Sequence, residues 1–169
     1  MTEIELVLEA IRSAIEDGEA AAAIYDFPPD RKARHTLPVV SVGLKSGAAV
    51  PSGFMSYMGL RHNALTDTYS EVYSKRLKLT VSLDMRCPAD GVTGGTSCAA
   101  LFSRVIHALD GVSSGIKVGE VTCGDVTYDR NADAYLCRAE AVCEAILFAE
   151  KSEKSGEFTD FILRGDLVG

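Results

Sequence analysis

The side chains of Asp129, Asn131, Asp133 and Glu140 fall at positions 1, 3, 5 and 12 of a calcium-loop register, with apolar Leu136 at position 8. A hard divalent cation takes several carboxylate and amide oxygens, and this spacing offers them. Ala134 stands where the sharp turn of such a loop takes glycine, the segment before it reads as β, and no second copy of the motif follows. The pattern alone does not carry a metal site, so the expectation is a chain with no metal and no cofactor. Gly94-Gly95-Thr96-Ser97 lies between a strand and a helix start, where backbone amides can hold an anion. A phosphate-binding loop also needs a lysine before the hydroxyl residue, and none is there, so the turn reads as a helix entry. Cys98 sits in the first turn of that helix, where the dipole can lower a thiol pKa. It also belongs to the apolar stripe of the helix. His107 lies on the opposite side of the same helix, and His35 and His62 fall elsewhere, so no cysteine–histidine pair is built by spacing. No catalytic set emerges, and the chain is not expected to be an enzyme.

The totals narrow the classes further. The chain has 169 residues and a net charge of −7, with a pI near 4.9. The length fits one domain, residues 1–169, with a core over roughly 2–150 and a C-terminal extension over 152–169. An acidic chain lacks the basic footprint of a nucleic-acid binder. The N-terminus lacks the pattern of a signal peptide, and no apolar run approaches the ~20 residues of a membrane span. The five cysteines are odd in number and form no CxxC pair, which reads as buried, reduced thiols.

Secondary structure follows from periodicity. Residues 76–86 alternate strictly, apolar from Leu77 to Met85 at odd positions and polar from Arg76 to Arg86 at even ones. That predicts a strand, beginning near Glu71, with one dry and one wet face. Thr2 and Glu5 can form a capping box before a helix striped by Ile4, Val7, Leu8, Ile11 and Ile15, which Gly18 stops. A second helix carries Cys98, Leu101, Phe102, Val105, Ile106 and Leu109 on one side, with Thr96 or Ser97 as its cap. Residues 22–27 and 37–44 read as strands. Residues 116–128 read as one bent strand or two short ones, followed by a turn at 129–133. Residues 45–70 read as a long loop rich in glycine and large apolar side chains, either folded over the core edge or docking a partner. Residues 135–149 fit a helical face by local propensity, while the turn before them favours a strand. The fold class is α+β, a mixed or antiparallel sheet of four to five strands with two helices packed on one face.

The order of these elements, with Leu37-Pro-Val-Val40, the segment Ala99 to Leu109 and the segment Val118 to Tyr128, resembles the tail terminator (tail-completion) proteins of long-tailed phages and related contractile particles. The resemblance covers roughly residues 2–150. It implies a homo-oligomeric ring, a hexamer in the assembled tail, that caps the tail tube, stops its polymerisation and joins it to the neck or head. It implies no catalysis, no sequence-specific nucleic-acid binding and no membrane. It also implies a place in the host cytoplasm during assembly and then in the virion, and that residues 134–149 are a long strand. An Ala-rich last strand and an extended tail depart from the pattern.

On that reading Arg76, Lys78 and Arg86 are expected to meet carboxylates of a neighbouring subunit. Phe54, Met55, Tyr57, Met58 and Arg61 in the loop, with Phe158 and Phe161 in the tail, are expected to dock on the tube or the adjacent subunit.

Overall fold

The structure is a computed structural model that describes residues 2–26, 36–52, 54–89, 95–112, 115–152 and 161–162. Helix α1 spans Glu3–Asp17 and opens on the expected capping box. The Glu5 amide donates to Thr2 Oγ1 at 3.3 Å, and the Thr2 amide donates back to Glu5 Oε2 at 2.6 Å. Helix α2 spans Thr96–Leu109, and its N-cap is Gly95 rather than Thr96 or Ser97, with no side-chain capping bond. The end of α1 crosses close to α2. A Cβ on Gly18 would lie 2.8 Å from the Cβ of Ala108, where neither neighbour is a flexible side-chain end. Gly18→Ala is therefore expected to cost about 1–3 kcal/mol through overpacking, measurable by urea unfolding.

Among the described residues seven strands form one mixed sheet, more than the four to five expected. They are β1 (Ala23–Asp26), β2 (Val39–Pro51), β3 (Tyr57–Asn63), β4 (Thr68–Pro88), β5 (Ile116–Asp129), β6 (Ala134–Ser152) and the two-residue β7 (Phe161–Ile162). The main order is β1-β2-β4-β6-β5, with β3 on β4 and β7 on β6. Among the described pairings β1–β2 is parallel and the others are antiparallel.

Residues 45–70 are not a long loop, which corrects the reading from sequence. β2 runs along β4 to the pair Pro51↔Lys75, a short 3-10 turn at Phe54–Ser56 kinks the chain, and β3 continues on the same edge of β4 from Tyr57↔Tyr73. The turn proper is 64–67. The alternation is hidden because Ser46-Gly47-Ala48-Ala49 carry small side chains and the ladder shifts at Lys45 and Met58. Met55 and Ser56 hold positive φ, 52° and 67°, at the kink.

Residues 134–152 are a strand against their helical propensity, because tertiary pairing outweighs it: β6 lies between β4 and β5 with both ladders made. β5 is one strand with two irregularities, at 118–121 and 123–126.

Helices α1 and α2 pack on one face. Val7, Ile11 and Ile15 of α1 and Cys98, Leu101 and Val105 of α2 meet the odd-numbered row Leu77 to Cys87 of β4 and the row Cys137 to Ala145 of β6. Small residues in the β6 row let the helices sit close to the sheet. The opposite face is not wholly wet, since Val39, Ser41 and Asp84 are buried on it. Leu44, expected on one face with Val40 and Val42, faces the same side as they do, opposite buried Val81, but is itself exposed.

Candidate functional site

β4 has 21 residues, about 70 Å of strand, whereas a 15-residue helix such as α1 covers about 22 Å. The helices cover the dry face from Leu77 to Cys87 and stop there. The same face continues beyond the helices through Lys75, Tyr73, Glu71 and Tyr69 of β4 and Tyr57, Leu60 and His62 of β3, flanked by half-buried Leu147 and buried Ala149 of β6, because these residues share the register of the buried row. The result is a sheet arm with no helix over it among the described residues.

Its face sets apolar and aromatic side chains among Lys75, Glu71 and His62. Leu60 is 64% exposed and Met55, at the kink, 80%. Tyr57 and Tyr73 meet edge-on at 5.6 Å, and the rings of His62 and Tyr69 lie 4.8 Å apart. The Tyr73 hydroxyl donates to Glu71 at 2.7 Å, which together with partial burial raises the phenol pKa. Beside this row lies a groove of about 430 Å³ lined by Met55, Ser56, Tyr73, Ser74, Lys75, Leu147 and Ala149. Ser74 is 2% exposed, and its hydroxyl has no hydrogen-bond partner among the described residues. The lining holds no carboxylate, histidine or cysteine, so it suits the burial of an apolar partner group.

The other face of the sheet is closed by its own charges. Lys78 pairs with Glu144 at 3.5 Å, Arg61 with Glu150 at 2.6 Å, and Lys45 with Glu140. Lys78 and Arg61, both expected at a neighbour's surface, thus each hold a carboxylate of their own chain. Such exposed pairs are worth about 0–1 kcal/mol. Arg76 is exposed and makes no ion pair with another described residue. Arg86 is half-buried at the far end, beyond reach of the arm, and its Nε is buried without a partner among the described residues.

Asp84 lies on this face opposite Arg138. Burial raises its carboxyl pKa, opposed by Arg138, by Ser82 and by Arg86. A raised carboxyl favours the protonated folded state, so its penalty is absent below the ordinary carboxylate range and complete above the raised value. Asp84→Asn should accordingly gain stability relative to the native chain on going from acid to neutral pH, as read by denaturant unfolding at the two conditions. A constant difference between them would contradict the assignment.

The remaining expected sites separate. Met58 is exposed at the β3 irregularity and Tyr57 lies on the arm face. Phe54 lies in the kink and Phe161 in β7, which pairs with Ala149; their side chains, and Phe158 as a whole, lie outside the described residues. Asp129, Asn131 and Asp133 form the β5–β6 turn. Asp129 accepts from the amides of Asn131 and Ala132, and Asp133 accepts from the Tyr128 hydroxyl. Glu140 is several residues up β6, engaged by Lys45. A hairpin, not a calcium loop, explains the spacing, and no metal-holding group of three or more His, Cys, Asp or Glu occurs among the described residues. Cys98 is fully buried, its thiol donating to the Tyr135 carbonyl at 3.6 Å and pushed up to about 12 by burial. That is opposite to an activated thiolate. His107 is exposed on the far side of α2, His35 and Gly94 lie outside the described residues, and His62 pairs with Asp67 at 2.9 Å.

Leu60 ends the apolar segment 54–60 that the sequence offers for docking, whereas Tyr69 and Tyr73 do not stand out. The signal for those two is that 69, 71, 73 and 75 extend the odd-numbered row below Leu77. No protein-family model matches the chain, and no curated protein matches it closely enough to count as a relative.

Proposed function

We propose that the chain is a structural assembly protein of the tail-terminator kind: copies form a ring that caps a tail tube, halts its growth and offers a surface to the neck or head. The observation that carries this reading is the continuation of the dry sheet face onto an arm that no described helix of the chain covers. Exposed apolar area of this kind, with Met and Tyr as adaptable contacts and a groove beside it, is what a protein surface uses to bind another protein. The two sheet edges differ, β1 with the free part of β2 and β3 on one side and β5 with β7 on the other, which gives each copy a front and a back and suits a closed head-to-tail ring. The groove lining is largely apolar and holds no carboxylate, histidine or cysteine, which supports a binding reading.

A tube, sheath or neck component of the same particle is the second reading, because it needs a docking arm equally. Electron microscopy of preformed tube fragments mixed with gold-labelled protein separates them. The terminator reading expects label at one end of each fragment. Label along the tube wall, or none, rejects it.

A further inference from the structure

The expected uniform burial of the cysteines is met by four of them, while Cys123 is exposed. Cys123 and Cys137 lie on neighbouring strands, Cys123 opposite Ala139 and Cys137 opposite Val126, with the β5 irregularity between. Both thiols turn to the same oxygen: Cys123 Sγ is 3.5 Å and Cys137 Sγ 3.9 Å from the Gly124 carbonyl. On β4, Cys87 stands opposite Tyr135, diagonal to Cys137, and Cys98 of α2 reaches the Tyr135 carbonyl above them. Four of the five cysteines thus gather at one end of the core, and only Cys123 opens to solvent.

We propose that Cys123 and Cys137 form a two-thiol oxidation site, at which a hydroperoxide oxidises exposed Cys123 and buried Cys137 resolves it to an intramolecular disulfide. In the first step the Cys123 sulfur takes one oxygen from the hydroperoxide, giving a sulfenic acid and releasing an alcohol, or water when the oxidant is hydrogen peroxide. In the second step the Cys137 sulfur attacks the Cys123 sulfur. The S–O bond breaks, the S–S bond forms, and the hydroxyl leaves with the Cys137 proton as water. The oxidant is reduced by two electrons and the thiol pair supplies them. Accessibility sets the order, since the oxidant meets Cys123 first, and the shared Gly124 carbonyl holds the resolving thiol beside it. The link staples the irregular part of β5 to β6 and removes freedom from the unfolded chain, so oxidised protein melts at a higher temperature. Burial pushes the Cys137 thiol up to about 12, so the second step accelerates as pH rises. This site is independent of the arm and of the assembly reading.

The test treats the full-length protein with hydrogen peroxide, then alkylates free thiols and maps peptides without reduction. The expected result is a linked pair of peptides carrying Cys123 and Cys137, a loss of two hydrogens from the intact mass, and reversal by dithiothreitol. Cys123→Ser, at an exposed position that leaves the fold intact, should abolish the link, and Cys143→Ser should leave it unchanged. A Cys87–Cys98 link instead, or sulfinic acid on Cys123 with Cys137 still open to alkylation in the unfolded protein, overturns the proposal.

Discussion

Protein carrying Leu60→Lys together with Met55→Lys should fail to cap tubes while folding as the native chain does. Both side chains are largely exposed, at 64% and 80%, so their replacement removes little buried area from the monomer. The ammonium introduced by Leu60→Lys would face Glu71 across the β3–β4 ladder, an opposite-charge pair that a sheet tolerates well. In an assembled interface the Met55→Lys ammonium would be taken out of water without a partner, and the Leu60→Lys ammonium would lose its hydration beside Glu71, a costly arrangement. Truncated or miscast hot-spot residues cost about 2 kcal/mol or more each, so affinity for a tube end should fall about a hundredfold or more. Circular dichroism and thermal melting check the fold, and a binding titration against tube fragments checks the loss. Unchanged binding would move the docking surface off the arm.

Leu83→Ala should behave in the opposite way. Leu83 is on the same sheet face as Leu60 but beneath the helices, with no exposure. Its truncation leaves a cavity among packed side chains, and such changes cost about 2–5 kcal/mol. Leu60→Ala should cost within about 0.5 kcal/mol, the range of surface substitutions. Urea unfolding of the two variants therefore locates the point along one continuous face where the monomer's own core ends. Equal costs would mean that the arm is packed by something within the chain.

The buried half of that face was legible because Leu77, Leu79, Val81, Leu83 and Met85 alternate with polar residues without a break. The capping box and both helices were legible for a similar reason, a local pattern with a local cause. The arm was not. Its rising strand is interrupted by small residues and by a kink at positive φ, and its partner strand continues the row with Tyr and Lys rather than Leu and Val. What makes 57–63 a strand is β4 lying alongside it, a contact distant in the local pattern. The polar row Arg76 to Arg86 reads as a partner surface when taken alone, because cross-strand partners such as Glu144 cannot be seen from one strand. The strand at 134–152 shows the reverse case. Its residues prefer helix, and the turn at 129–133 before them is the local sign that they return as a strand.

The decisive measurement is the length distribution of tail tubes grown in vitro from purified tube subunits of the same particle, with and without this protein. The account predicts shorter, narrowly distributed tubes whose mean length falls as protein is added early, and no effect from the Leu60→Lys, Met55→Lys variant. Tubes of the same length and spread in the presence of native protein would contradict it.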